Sequence, residues 1–229
     1  MTLRRNILAN YAGQLYATLI GIVMVPMYIR YMGVESFGLI GVFGDFVMRR
    51  ACVGALAWPL VGGEPLFVSV NVSVRQLRQP GLAAEVAAVL RDTGLPATRL
   101  HVELTESALL DDQPLALNTL AELRQSGIRI WLDDFGTGFS GLSHLRRVPV
   151  DGVKIDRSFT QDLLTDRDDL ALTHAIIALA TSLGIPAVAE GIESGAQLEV
   201  LRNLQCDLGQ GYWFGYPMKQ GDLLEVLEQ

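Results

Sequence analysis

From Leu66 onward, hydrophobic and polar positions repeat one scheme: a short β-rich run, a polar residue at its end, then apolar residues three and four apart. The runs fall at 66–71, 99–104, 128–133, 152–155, 186–189 and, more faintly, 206–210. Helical spacing covers 82–90, 115–123, 170–183 and 196–204. Strands alternating with helices predict parallel βαβ units, so the expected class is α/β with neighbouring strands in sequence order.

The N-terminal part follows another pattern. Between Arg5 and Arg30 lie 24 residues without a charged side chain, enough to cross about 30 Å of hydrocarbon. A transmembrane helix over about 7–29 is therefore expected, with Tyr16 and Tyr28 at the interfaces, although Asn10 and Gln14 interrupt its first half. No small-residue cleavage site closes the stretch as in a signal peptide. The expected organisation is a hydrophobic segment over 1–43 and a catalytic-type domain over 44–229.

Within the repeating part, the residues that end the runs carry the chemistry. Asn71, Glu103, Asp133 with Asp134, Lys154, Glu190 and Gln210 stand at or just past the carboxyl end of successive candidate strands. In a (β/α)8 barrel those ends converge on the face where active sites are built. Each group also has a plainer reading: Glu106 and Ser107 as a helix cap, Asp133 and Asp134 as turn residues before Gly136, Glu190 as the lead-in to a turn at Gly191. Capping and turns do not explain why acids end so many otherwise apolar strands. Carboxylates with an amide oxygen, and no His or Cys among them, form a ligand set for hard cations such as Mg²⁺ or Mn²⁺. Adjacent Asp133 and Asp134 suit a pair of such ions and water attack on a phosphodiester. Nucleophilic Ser/His or Cys/His catalysis is disfavoured, since His101, His144 and His174 match no strand-end position.

Composition narrows this further. With 18 basic against 25 acidic residues the chain carries −7, which argues against a general grip on a nucleic acid polymer. A phosphate-bearing ligand then needs cations or a few placed donors. Cys52 and Cys206 match no zinc or redox spacing and read as buried thiols in a reducing compartment.

Six segments in order, SVNVS (69–73), ELTES (103–107), DDFGTGFSGL (133–142), VKIDRSF (153–159), AEGIES (189–194) and GQGYWFGYP (209–217), resemble the EAL family of cyclic-di-GMP phosphodiesterases. The resemblance implies a modified TIM barrel that hydrolyses cyclic-di-GMP to linear pGpG with two Mg²⁺ or Mn²⁺ ions. By position it implies Asn71, Glu103 and Asp133 as ligands of one metal, with Asp133 bridging and Asp134 on the second. Glu190 would bind or orient the second metal's water, and Lys154 would stand beside the attacking water. Glu193 and Gln210 would complete the substrate pocket, and Glu106 would anchor the loop from Phe135 to Leu142, which links activity to homodimerisation. Gly141 for Ser and Phe139 for Tyr are mild departures.

One departure is larger. The motif that names the family, with a metal-binding Glu and a substrate-binding Arg, should fall near Gly13, yet no acid precedes Glu35. Similarity resumes at GDFVMRRACVGALAWP, 44–59, so two of eight strands and one ligand are expected to be missing: an incomplete (β/α)8 barrel of about six strands. Residues 4–43 instead resemble the first helix of a polysaccharide flippase, which implies an anchor at most. The expected location is a bacterial inner membrane with the barrel facing the cytoplasm, or the cytoplasm itself if the N-terminal segment does not insert. Hydrolysis impaired by the lost Glu is the leading expectation, with a non-catalytic binding module or an inactive fusion as the alternatives.

Overall fold

The computed structural model describes residues 36–61, 63–106, 114–137, 150–218 and 220–227. The chain divides into two compact units, Met1–Phe46 and Val47–Gln229. The expected membrane stretch over 7–29 lies outside the described residues, and no described helix is long and apolar enough to cross a membrane.

In chain order the described elements are α1 (Ser36–Leu56), β1 (Leu60–Val61), β2 (Glu64–Pro65), β3 (Val68–Asn71), α2 (Val74–Leu77), α3 (Leu82–Thr93), β4 (Leu100–Thr105) and α4 (Pro114–Gln125). There follow β5 (Arg129–Phe135), β6 (Gly152–Ile155), α5 (Arg157–Gln161), α6 (Arg167–Leu183), β7 (Ala187–Ala189), α7 (Gly195–Asn203), β8 (Leu208–Gly209) and α8 (Gln220–Leu227). β1 and β2 form a small antiparallel ribbon, while β3 to β8 form one parallel sheet in sequence order. That is the expected α/β arrangement, with six strands in the sheet among the described residues.

Two-residue alternation explains how each strand serves both layers. On β4, Leu100, Val102 and Leu104 are buried in the hydrophobic core, and the alternate positions are His101, Glu103 and Thr105. On β6, Val153 and Ile155 join the same core and Lys154 takes the other face. The helices contribute their own stripes, such as Val86, Val89 and Leu90 of α3 and Thr173, Ile176, Ile177 and Ala180 of α6.

The helix ends place the turns that feed the site. Asp156 caps α5 by accepting from the Ser158 N–H at 2.9 Å, and Asp166 caps α6 through the Asp168 N–H. Ser194 and Gln197 form a capping box on α7, and Gln197 Nε2 also donates to the Thr160 carbonyl at 2.9 Å, tying α7 to α5.

Candidate active site

Four strands deliver one buried ion cluster. Lys154 Nζ on β6 stands 3.0 Å from Glu103 Oε2 of β4, 3.0 Å from Asp133 Oδ1 of β5 and 2.6 Å from Glu190 Oε1 just past β7. The lysine side chain is only 8% exposed, so the pairing is sheltered from water. Burial works to lower the Lys154 pKa, but the hydrogen bond to Glu190 and the charges of Glu103 and Glu190 outweigh it and raise it. The ammonium is therefore held charged. Burial raises the Glu190 pKa, and the stabilising hydrogen bond from Lys154 does not cancel that effect.

Adjacent aspartates on a regular strand would face opposite sides. Here the pairing register shifts between Leu132 and Phe135, and Asp134 adopts the left-handed conformation at φ 53°. This bulge lets oxygens of Asp133, Asp134 and Glu190 lie within 4.8 Å of one another. The strand continues to Phe135, so the two aspartates are strand residues rather than members of a turn. Strain of this kind in a non-glycine residue is typical of functional positions.

Burial and the Asp133 charge raise the Asp134 pKa, and a hydrogen bond with the Asp156 carboxyl raises it further. Burial pushes Asp156 up as well, yet the Ser158 hydroxyl at 2.5 Å and the Ser158 N–H hold its pKa below the ordinary value. Of this pair, Asp134 is the more readily protonated as pH falls. Asp156 was not singled out from sequence, although it stands two residues after Lys154 and alternation puts both on one face.

Other expected residues are placed differently. Asn71 lies beside Glu103 in the β3–β4 register and is exposed. Gln210 is exposed, lines the adjoining cavity and is pinned by its N–H to the Ala189 carbonyl at 2.8 Å. Glu193 is exposed, and its N–H donates to Gln197. Glu106 is buried, and its carboxylate accepts from the Gly136 N–H at 3.3 Å, at the start of the loop it was expected to anchor. Residues 138–142 of that loop lie outside the described residues. Gly136 sits at φ 102°, where a Cβ would come within 2.9 Å of Ile176 and Phe159, so glycine alone fits.

A cavity of about 570 Å³ is lined by Glu103, Lys154 and Gln210 together with Trp58, Phe67 and Trp131. An all-oxygen cluster with more carboxylates than ammonium beside a cavity of this size can take divalent cations and a ligand that brings its own negative charge.

The chain belongs to the EAL domain family, which it matches over residues 31–217. It is 41% identical over 199 residues to the cyclic di-GMP phosphodiesterase NbdA of Pseudomonas aeruginosa, covering 86% of this chain and 25% of that protein. To an uncharacterized signaling protein of Caulobacter vibrioides it is 46% identical over 183 residues, 80% of this chain and 22% of the relative. The chain thus spans about a quarter of these curated relatives. Its fold is similar to the cyclic-di-GMP complex of the PaMucR phosphodiesterase, with TM-score 0.77, 38% identity and coverage of 90% of this chain and 80% of that one. A calcium and cyclic-di-GMP complex of BlrP1 from Klebsiella pneumoniae gives TM-score 0.73 at 26% identity, covering 86% of this chain and 48% of that one.

Proposed function

We propose that this domain binds cyclic-di-GMP at the carboxyl end of the sheet and hydrolyses it to linear pGpG with divalent cations, Mg²⁺ or Mn²⁺. The observation that carries the reading is the convergence of Asp133, Asp134 and Glu190 oxygens within 4.8 Å. The family's phosphodiesterases and the cyclic-di-GMP complex of PaMucR support the substrate.

Asp133, Asp134 and Glu190 would hold the cations, with Glu103 and Asn71 beside them on the neighbouring strands. When bound, such cations supply Lewis-acid activation of water and neutralise charge on the phosphodiester. The protein's own share follows from its geometry. Lys154 stabilises negative charge that develops between Glu103, Asp133 and Glu190, because its ammonium already faces all three. Glu190, with its raised pKa and its hydrogen bond to Lys154, orients the attacking water and receives its proton. Glu106 fixes the start of the loop from Phe135 to Leu142 through Gly136, and that loop would serve a homodimer contact. The uncharged stretch between Arg5 and Arg30 supports placement at a bacterial inner membrane, and a cytoplasmic dinucleotide substrate would require the domain to face the cytoplasm.

Turnover would be below that of a relative carrying the full ligand set, since no acid lies between Met1 and Glu35, where the family spacing places the remaining ligand. The same feature favours a second reading, dinucleotide binding without hydrolysis. The test is hydrolysis of cyclic-di-GMP by the full chain with Mn²⁺, beside a complete family member and Glu190→Ala. Slow turnover lost in E190A supports the first reading, and calorimetric binding without product supports the second. Turnover equal to the complete member would refute impairment, and neither binding nor product would refute both readings.

A further inference from the structure

The turn that brings Glu190 into the cluster is gripped by its neighbours. The Glu190 N–H donates to the Ile155 carbonyl of β6 at 3.2 Å, and the Ile192 N–H donates to the Gln210 carbonyl at 3.1 Å. Gly191, at φ 71°, packs so closely on the start of α5 that a Cβ there would lie 2.7 Å from that of Arg157. The remaining hold comes from Gln197 of α7, whose Oε1 accepts from the Glu193 and Ser194 N–H groups, each at 2.9 Å.

Capping explains only part of what this side chain does. The box on α7 needs the Ser194 N–H to reach the Gln197 side chain and the Gln197 N–H to reach the Ser194 hydroxyl, and both bonds are made. The bond from the Glu193 N–H lies outside that box, and so does the other end of the amide. Nε2 donates to the Thr160 carbonyl at 2.9 Å and to the Gln161 carbonyl at 3.4 Å, in the last turn of α5. That helix begins at Asp156, whose carboxyl bonds the carboxyl of Asp134. One amide therefore joins the turn bearing Glu190 to the helix that follows Lys154 and Asp156. Gln197 is 6% exposed, so water is poorly placed to take over these bonds if the side chain is lost.

We propose that Gln197 is a positioning residue for Glu190: by tying the turn to α5, it sets where the Glu190 carboxylate stands relative to Asp133 and Asp134. It acts through the backbone of the turn. Oxygen ligands of hard cations must stand about 2.0–2.6 Å from the ion, so slack in the turn costs affinity even when every ligand is present. The inference rests on the reading of Glu190 as part of the cation cluster and adds the residue that holds it in place.

The experiment compares the full chain with Gln197→Met, which keeps the length of the side chain and removes both ends of the amide. Two quantities are read: Mn²⁺ affinity by calorimetry, and amide hydrogen exchange at Glu190 by NMR. Q197M should weaken Mn²⁺ about tenfold, the lower end for residues that support metal ligands. Exchange of the Glu190 N–H, whose bond runs to β6 and not to Gln197, should quicken by about the same factor. Leu201→Ala, a buried apolar position of α7, loosens that helix without touching the bonds of the amide and should change neither quantity. If Q197M fails to fold by circular dichroism, Gln197→Glu keeps the acceptor, loses the donor to Thr160 and should still weaken Mn²⁺ about fivefold, as the loss of one hydrogen bond implies. Unchanged exchange at Glu190 in Q197M, wild-type affinity in Q197E, or equal losses in L201A overturn the proposal. If the wild type binds no Mn²⁺, the cation reading fails, and exchange at Glu190 alone decides whether Gln197 sets the turn.

Discussion

Strands β4, β5 and β6 are buried along most of their length and have a ladder neighbour on both sides, whereas β3 and β8 end the sheet among the described residues, β3 only partly buried and β8 exposed. The side chains follow the strands. Glu103, Asp133 and Lys154, from the middle, are locked in contacts of about 3 Å, while Asn71 and Gln210, from the ends, are exposed. The same βα repeat thus gives a preorganised half and a loosely held half. Burial on both faces, more than the presence of the right residue type, is what fixes a site residue.

The largest break in that comparison comes from Lys154→Met. It leaves Glu103, Asp133 and Glu190 facing one another without their ammonium, and losing one partner of a buried ionic cluster costs about 3–5 kcal/mol. Urea denaturation should show that loss. An unchanged midpoint would mean that the middle of the sheet is no more tightly held than its ends. Next in size is the response to cations. At a hundredfold excess over Kd, Mn²⁺ should add about 2.7 kcal/mol of stability. Asp133→Asn with Asp134→Asn should abolish this gain. The gain should shrink on acidification sooner than for ordinary carboxylates, because burial raises the pKa of both Glu190 and Asp134. A gain that survives the double substitution would move the cation elsewhere.

The middle of the sheet was also the more legible part. The run at 152–155 coincides with β6, because a strand buried on both faces is bounded sharply by its polar neighbours. The expected run at 206–210 shrinks to Leu208–Gly209, since an end strand pairs on one side only. Strand-end position was enough to gather Glu103, Asp133, Lys154 and Glu190. It also named Asp134, but not the bulge that brings it round beside them, because alternation alone sends that side chain to the other face. The stacking of Phe67, His101 and Trp131 was hidden for a related reason. His101 and Trp131 meet each other, and Phe67 just ahead of β3, through the register of neighbouring strands, which single-strand patterns do not encode.

His101 sharpens the contrast between the two ends of the inner face. Burial, with the Arg129 charge beside it, lowers its pKa from 6.5 to about 4. The unfolded chain therefore takes up the proton first as pH falls. Stability present above pH 6.5 is lost between 6.5 and about 4, with a limiting slope near 1.4 kcal/mol per pH unit. Glu190 and Asp134 pull the opposite way, because their raised pKa values keep protons on the folded state. The wild-type slope alone is therefore ambiguous, and the difference between wild type and His101→Phe isolates the imidazole. That difference should grow as pH rises from 4 to 6.5 and then level off. A flat difference would mean that His101 is as hydrated as an exposed histidine.

The smallest effect belongs to the ends of the sheet. Asn71→Ala and Gln210→Ala remove exposed amides, and surface changes of this kind usually move stability by no more than about 0.5 kcal/mol. The informative quantity is how the Asn71 effect changes with Mn²⁺. If the amide oxygen joins the cation beside Glu103, its neighbour in the β3–β4 register, the loss in N71A grows in proportion to the cation gain that disappears. Gln210→Ala should show no such growth, because Gln210 lines the cavity and stands outside the Asp133, Asp134 and Glu190 cluster. Equal responses from the two variants would mean that the open ends of the sheet contribute to the site only as scaffold, and that cation affinity resides entirely in β5 and the turn after β7.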